Sequence, residues 1–320
     1  MVVVVSFLDR EKQFQPIYSI NVKIKTMNSV ARKLIVTHHA PDLDAITSVW
    51  LLKRFDAQNY ANAKVAFVNP GETIALEVAE KEFNCQLHEV THVDTGLGEF
   101  DHHQTEKASR EICAATLVFD YLKQTRPEIV KDLALIEIIK IVLDVDHFGE
   151  IDWPEAKNNR FVFTLHELIH GHESIEPHDD DSQLHFGMKA LDCAYASMTN
   201  RLKAEEIIAH KGVEFNIRAG KCLGLETQND ESIKIAQVKG YVLAIRKDPE
   251  FGHIRIKVRP DAQLNLEKLY QAIKEIDPKA TWFYHASGKM LLNGSIKHRN
   301  QIASALSLTG AIRLIQKLYC

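Results

Sequence analysis

One short polar stretch between two apolar segments constrains this chain more than any other feature. It is the stretch His38-His39-Ala40-Pro41-Asp42-Leu43-Asp44. The apolar residues 33–37 before it predict a buried strand, and the apolar spacing over residues 46–55 after it predicts a helix. Ligands bind at the carboxyl ends of strands in open α/β sheets. The sequence therefore predicts a ligand site where this strand ends and this helix begins.

Further carboxylates and imidazoles end other apolar segments in the first 150 residues. These residues are Asp94, the run Asp101-His102-His103, and Asp144 or Asp146. Oxygen and imidazole ligands suit divalent metals such as Mn²⁺. Five or six of them exceed the need of one tetrahedral zinc and suit two metals that share carboxylates. A single Asp at such a place is more typical of a cap or a turn. The prediction of a metal site therefore depends on these side chains coming together in the fold.

The pattern of apolar segments changes near residue 150. Before it, predicted strands alternate with helices, which indicates a parallel sheet with helices on both faces. The predicted strands are 33–37, 63–68 and 89–94, and the predicted helices are 46–55, 74–83, 113–122 and 129–146. After it come predicted helices at 161–170, 184–211, 266–276 and 312–318, and predicted strands at 240–246, 253–258 and 282–284. We expect an α/β fold with a smaller C-terminal α+β domain and the active site in the cleft between the two.

The 320 residues are enough for two domains. We predict an N-terminal extension over 1–26, a catalytic domain over 27–211 that ends in a long connector helix, and a substrate-binding domain over 212–320. The apolar run near the start is too short to span a membrane and could add a strand. We expect no membrane association.

Charge and cysteine usage restrict the environment and the partners. A net charge of −4 gives no global basic field for long nucleic acid. The five cysteines are scattered and form no C-x-x-C pair, which is typical of a reducing compartment. We therefore expect a cytoplasmic protein with a small partner.

The order of the motifs resembles that of the DHH phosphoesterase superfamily. The chain has H-x-x-P-D-x-D-A, an isolated Asp after an apolar strand, D-H-H, and an Asp at the end of an apolar helix, all within residues 33–148. The superfamily includes RecJ-like exonucleases, nanoRNA and pAp phosphatases, cyclic-dinucleotide phosphodiesterases, exopolyphosphatases and family II inorganic pyrophosphatases. The resemblance implies a hydrolase in which two Mn²⁺ ions, or Mg²⁺ or Co²⁺, activate a hydroxide for attack on phosphorus.

The resemblance also implies a role for each motif residue. His38 and Asp42 would bind one metal, Asp44 and His102 would bind the other, and Asp94 would bridge the two. Asp144 would bridge again, and it is preferred to Asp146 because Phe148 follows it by four residues as in the family pattern. His103 would face the substrate phosphate, and Asp101 would orient a His. Ala40 and Val145 depart from the family, which often has Asn or Asp and Thr there.

Two glycine-bearing turns in the C-terminal part are rich in cations and small polar groups. Their candidate substrate-binding residues are His285, Ser287, Lys289, Asn293, Gly294, Ser295, Lys297 and Arg299. Such turns can present N–H groups and cations to a phosphate. The resemblance implies that this DHHA1-like domain closes over the metals, although the G-G-G-H motif of many such domains is missing. Two solvated turns are the alternative.

The favoured substrate is a small phosphodiester, phosphomonoester or phosphoanhydride, with a nucleotide or short single-stranded oligonucleotide preferred. An inorganic pyrophosphatase or exopolyphosphatase and a non-catalytic sensor of a phosphorylated ligand are alternatives. A third alternative is a zinc metalloprotease, because His166-Glu167-x-x-His170 matches H-E-x-x-H. A homodimer is compatible with each of these functions.

Overall fold

The computed structural model describes residues 33–104, 107, 109–294 and 300–320. The predicted extension over 1–26, with its added strand, lies outside the described residues. The strands of the first part of the chain are β1 (Leu34–His38), β2 (Lys64–Val68) and β3 (Val90–His92). Its helices are α1 (Leu43–Phe55), α2 (Ala57–Tyr60), α3 (Leu76–Phe83), α4 (Ala114–Thr125), α5 (Leu133–Asp146), α6 (Leu165–Ile175) and α7 (Asp180–Lys211).

The first sheet is parallel and has β1 at its centre, in the order β2-β1-β3. Successive side chains of β1 point to opposite faces, as they do in any strand. Ile35 belongs to the core on the side of α1, whereas Leu34 and Val36 belong to a second core with Ala79 of α3. Helices therefore cover both faces, which confirms the predicted α/β class.

Helix α1 begins three residues earlier than its apolar spacing predicts, because Asp42 caps it. The Asp42 carboxylate accepts hydrogen bonds from the backbone N–H groups of Asp44 and Ala45. Every residue from Leu43 to Leu52 is buried, and α1 packs against α4, α5 and α7. The cap therefore fixes the polar loop at the N-terminal end of a buried helix.

Two of the predicted helices are each divided in the structure. The segment 129–146 was expected as one helix, but a 3₁₀ turn over Pro127–Lys131 precedes α5. Asp132 ends the turn and caps α5 by accepting from the N–H of Leu135. Similarly, a 3₁₀ segment over Asn159–Phe163 precedes α6. Local capping by polar side chains overrides the continuous apolar pattern in the first case.

The C-terminal part forms a second sheet. Its strands are β4 (Val213–Ile217), β5 (Gly220–Glu226), β6 (Leu243–Lys247), β7 (Ile254–Val258), β8 (Trp282–Tyr284) and β9 (Met290–Asn293), in the order β4-β5-β6-β7-β9-β8. Its helices are α8 (Glu231–Val238), α9 (Glu267–Ile276) and α10 (Leu308–Tyr319). Helices α9 and α10 cover one face, and α8 packs on the other. The predicted C-terminal α+β architecture is present, and β4, β5, α8 and β9 are additions to it.

Helix α7 is shared between the two sheets. Leu184 and Leu191 near its start lie in the core of the first sheet, whereas Ala204 and Ile208 near its end lie in a core with α8. The helix ends at Lys211, where the connector was predicted to end. In the described part of the chain, no helix combines the length and the apolarity that crossing a membrane requires.

Candidate metal centre

Side chains from four separate segments meet beside the end of β1. Three overlapping sets of three have ligand atoms within 4.8 Å of one another. The sets are His38, Asp42 and Asp94; Asp94, His102 and His103; and Asp44, His102 and Asp146. Asp94 and His102 each belong to two sets, so the sets form one continuous cluster.

Asp94 lies at the middle of this cluster. Its Oδ2 is 3.3 Å from Nε2 of His38, and its Oδ1 is 3.4 Å from Nε2 of His102. The residue is 3 % exposed and has a left-handed backbone with φ +54°. Asp and Asn adopt this conformation more readily than other non-glycine residues. The turn after β3 therefore aims a buried carboxylate between the two neighbouring ligand sets.

Asp44 is fixed by the start of a distant helix. Its two carboxylate oxygens accept hydrogen bonds from the backbone N–H groups of Ala114 and Ala115, at 2.7 and 2.8 Å. These groups belong to the first turn of α4, whose positive end favours a negative charge. A carboxylate has about four acceptor sites, so Asp44 can still offer an oxygen lone pair to a cation.

Within the fourth motif, the structure places Asp146 in the cluster and leaves Asp144 outside it. Oδ2 of Asp146 is 3.8 Å from Nδ1 of His102. Asp144 instead accepts a hydrogen bond from the Trp153 indole at 2.5 Å and lines a different cavity. Residues two apart on a helix point about 200° away from each other, so both cannot face one site. The geometry thus favours Asp146 over the expected Asp144, and the ligand assignment stays a prediction.

The Asp101 carboxylate holds the ring of His103. Asp101 is fully buried, and its Oδ1 accepts from Nδ1 of His103 at 2.8 Å and from the His103 backbone N–H at 3.0 Å. Its Oδ2 accepts from the backbone N–H of Leu97. The His103 ring is 59 % exposed and borders the cavity beside the cluster. Asp101 therefore fixes the orientation of an exposed imidazole.

The cluster has unusual electrostatics. Burial raises the pKa of Asp146 to about 6, and burial with the nearby charge of Asp94 raises that of Asp44 well above its ordinary value. Burial opposes ionisation of Asp94 too, but the nearby imidazoles of His102 and His38 hold its pKa well below the usual range. The Asp94 carboxylate, 3.4 Å from its Nε2, raises the pKa of His102 to about 9. Several carboxylates therefore lie close together with too few positive charges nearby to balance them.

The unpaired atoms of the cluster fit a divalent cation. Oδ1 of Asp94, Nε2 of His102 and Oδ2 of Asp146 are buried and have no hydrogen-bond partner. Such orphaned groups are uncommon and call for an ion or a water. Nδ1 of His38 bonds to the backbone oxygen of His39 at 2.8 Å, so its Nε2 faces the cluster, 3.3 Å from Oδ2 of Asp94, as in many metal sites. Carboxylate and imidazole donors of this kind suit Mn²⁺.

Helix α7 clamps the polar loop that carries His38 and Asp42. The Asp180 carboxylate accepts from the backbone N–H of Ala40 at 2.7 Å and lies 2.6 Å from Nδ1 of His39. Ala40 has a left-handed backbone with φ +49°. Its methyl side chain cannot form a hydrogen bond that would stabilise this conformation. This role of Asp180 cannot be predicted from the sequence, because its partners lie about 140 residues away and no local pattern joins them.

A cavity of about 320 Å³ borders the cluster. Its lining residues are Ala40, Asp42, Leu43, Asp44, His103, Val145, Asp146, Phe148, His166, Ile169, His170, Glu173 and Gln183. A second cavity of about 530 Å³ shares Ala40, His170, Glu173 and Gln183 with it. Both are lined by the first part of the chain, so the cleft between the two domains stays a prediction.

The H-E-x-x-H residues lie at the rim and do not join the cluster. The His166 ring packs edge-on against Trp153 and Phe161, at centroid distances of 6.0 and 5.2 Å. The His170 side chain is 78 % exposed and lies 3.6 Å from Glu173. Over the described ranges, neither His belongs to a set of three side chains that could hold a metal. The geometry therefore gives no support to the zinc protease.

The C-terminal candidates bond mainly within their own sheet. Nδ1 of His285 lies 2.8 Å from Oγ of Ser287, and Nζ of Lys289 donates to the backbone oxygen of Leu264. Asn293 is buried and donates to two backbone oxygens, and the buried Gly294 has φ +99°. Ser295, Lys297 and Arg299 lie outside the described residues. Substrate binding by this group stays a prediction.

Comparison with known proteins gives fold-level likeness only. No family model matches the chain, and no curated protein matches it. Among solved structures, it is similar to the DHH domain of a member of the s1p family of ribosomal proteins. The two share 11% sequence identity, the match covers 90% of this chain and 86% of that chain, and the TM-score is 0.32.

Two further solved structures are similar at the same level. An exopolyphosphatase-related protein from Bacteroides fragilis has 14% identity, 90% and 91% coverage of this chain and that one, and a TM-score of 0.26. The exonuclease RecJ bound to manganese has 12% identity, 89% and 90% coverage, and a TM-score of 0.30. One of these structural neighbours is thus described as a DHH domain.

Proposed function

We propose that this chain is a metal-dependent phosphohydrolase of the DHH type with a dinuclear centre. His38 and Asp42 would hold one divalent ion, Asp44, His102 and Asp146 would hold the other, and Asp94 would serve both. The observation that carries this proposal is the buried Asp94 carboxylate, which is shared by neighbouring ligand sets and has an oxygen without a partner. A carboxylate in that position suits two ions about 3.5–4 Å apart. Mn²⁺ is the proposed ion.

The bound ions would lower the pKa of water and neutralise charge on a phosphoryl group. The other tasks belong to the chain's own side chains. His103, held by Asp101, borders the cavity, and its ring would face a phosphoryl oxygen of the substrate. The capping contacts of Asp42 and Asp44 keep these carboxylates in place before substrate arrives.

The cavity supports a small organic phosphate as substrate. Its volume of about 320 Å³ is at the small end of the range for ligand sites. Its lining combines acidic residues with the apolar residues Leu43, Val145 and Ile169. An ester of an apolar group matches both kinds of wall, whereas pyrophosphate matches only the metal end. A nucleotide or a short single-stranded oligonucleotide is therefore the proposed substrate.

A panel of phosphate compounds assayed with Mn²⁺ tests this proposal. The panel holds nucleotides, a dinucleotide, pyrophosphate and tripolyphosphate, and the proteins are wild type, Asp94→Asn and Glu167→Gln. Asn tolerates the left-handed backbone at position 94, so the variant keeps its fold. Because the ions stabilise the transition state by several kcal/mol, Asp94→Asn should lose phosphate release by at least about a hundredfold. Glu167→Gln should keep it.

Other outcomes would identify a different function. Full activity of the Asp94→Asn protein would show that the dinuclear centre is not the catalyst. Equilibrium binding of a nucleotide without release of product would indicate a sensor. A peptidase activity that Glu167→Gln abolishes would indicate the zinc protease.

A further inference from the structure

Phe148 is an aromatic residue in an unfavourable position. Its side chain is 75 % exposed, and its backbone is left-handed with φ +59°. The backbone is held there by the end of α5, because the Phe148 N–H donates to the backbone oxygen of Val145 at 3.0 Å. A bulky residue rarely adopts this conformation, and strained residues concentrate at functional sites. Burial of the ring in the core does not account for its presence.

The position of the ring does suggest a reason. Phe148 lies two residues after Asp146 and lines the cavity of about 320 Å³ beside the metal cluster. Leu43, Val145 and Ile169 line the same cavity, and so do Asp42 and Asp44 of the cluster. The cavity therefore combines a strongly acidic end with apolar walls and an exposed aromatic ring.

We infer that Phe148 determines specificity by stacking against a nucleobase whose phosphate lies at the metal cluster. This inference rests on the proposed function and deepens it. An aromatic ring at a ligand site packs well on any flat base, because every base presents a π-face. Pyrophosphate and polyphosphate offer no such group, so Phe148 favours nucleotides over inorganic substrates.

The chain offers a matched control for this role. Phe163 ends the 3₁₀ segment before α6 and is 78 % exposed, much like Phe148. It does not line the cavity beside the cluster, and its backbone is not left-handed. Removal of the Phe163 ring therefore takes away a similar exposed apolar area at a place where no nucleobase is expected.

The test compares equilibrium binding of AMP with that of ribose 5-phosphate, which lacks the base. Calorimetry with Mn²⁺ present measures the non-hydrolysable phosphonate analogues of both ligands, so that turnover adds no heat, on wild type, Phe148→Ala, Phe148→Trp and Phe163→Ala. Base stacking makes wild type bind AMP at least about fivefold more tightly than ribose 5-phosphate. Phe148→Ala should lose this preference, whereas Phe148→Trp and Phe163→Ala should keep it.

A Phe148→Asn variant guards against a folding defect, because Asn suits the left-handed backbone and removes the ring. Equal binding of the two ligands by wild type, or an unchanged preference in Phe148→Ala and Phe148→Asn, overturns the inference. The panel of phosphate compounds separates this failure from that of the proposed function. Ring-dependent AMP binding without phosphate release would contradict the proposed hydrolase alone, and phosphate release with no ring dependence would contradict the role of Phe148 alone.

Discussion

At the scale of single residues, the difference between Asp144 and Asp146 is the clearest case in which packing decides chemistry. Both end the same apolar helix, and the sequence alone does not separate them. In the structure, the Trp153 indole donates to Asp144, whereas an Asp146 oxygen lies buried without a partner near His102. One carboxylate has a partner within the protein, and the other has an oxygen that a cation could take.

This difference predicts opposite results for two conservative substitutions. Asp146→Asn removes a charged candidate ligand. It should weaken Mn²⁺ binding by at least about tenfold, because loss of a residue that only supports a metal ligand already costs about that much. Asp144→Asn keeps an oxygen that can accept from Trp153, so its Mn²⁺ affinity should equal that of wild type. Calorimetric titration of the metal-free proteins measures both. Equal loss in the two variants, or loss only in Asp144→Asn, would contradict the assignment of Asp146.

The spacing of the motif residues predicted most members of the cluster. The residues that it did not predict depend on contacts that are not visible in the local sequence. His38, Asp42, Asp94 and His102 follow apolar elements, and parallel strands bring such ends to one edge of a sheet. Asp180 was missed because it acts through contacts with a loop far away in sequence. Phe148 was noted only as a spacing marker, because exposure and backbone conformation become visible only in the folded chain.

At the scale of elements, the contact between α7 and α1 is very close. Gly187 of α7 is buried against α1, and a Cβ built on it would lie 2.7 Å from Cδ1 and 2.9 Å from Cγ2 of Ile46. Ile46 is fully buried, so its side chain has little room to move. This glycine allows α7 to approach α1, and the same end of α7 carries Asp180, which clamps the loop.

Gly187→Ala should therefore destabilise the protein, although Ala normally favours a helix. Overpacking against Ile46 should lower the free energy of unfolding by about 1 kcal/mol or more. Gly171 in α6 is the matched control, because it is exposed and a Cβ there would meet nothing within 4 Å. Gly171→Ala should raise the free energy of unfolding by up to about 1 kcal/mol. Urea denaturation measures both, and stabilisation by Gly187→Ala would contradict the close packing.

The sequence predicted the elements of the first sheet better than those of the second. Strand β1 is a short continuous apolar run, and helix α1 is a longer apolar segment at helical spacing, so both are visible in the sequence. Strands β4 and β5 form a hairpin whose exposed residues interrupt the pattern, and the region was treated as a boundary. These strands are specified by pairing with each other and with β6, and such pairing is not visible in local periodicity.

At the scale of the whole molecule, helix α7 connects the two parts of the chain. Its first turns contact the loop with the candidate ligands through Asp180 and Gln183, and its last turns pack with α8. A helix of 32 residues keeps these ends at a fixed distance. The C-terminal sheet is therefore attached to the same helix that contacts the loop with the candidate ligands.

The central claim is that the cluster holds two metal ions, and anomalous X-ray diffraction from crystals soaked in MnCl₂ tests it most directly. The account predicts two manganese peaks about 3.5–4 Å apart. One peak should lie among His38, Asp42 and Asp94, and the other should be bounded by Asp44, His102 and Asp146. A single peak, no peak at this cluster, or a peak beside His166 and His170 would contradict the account.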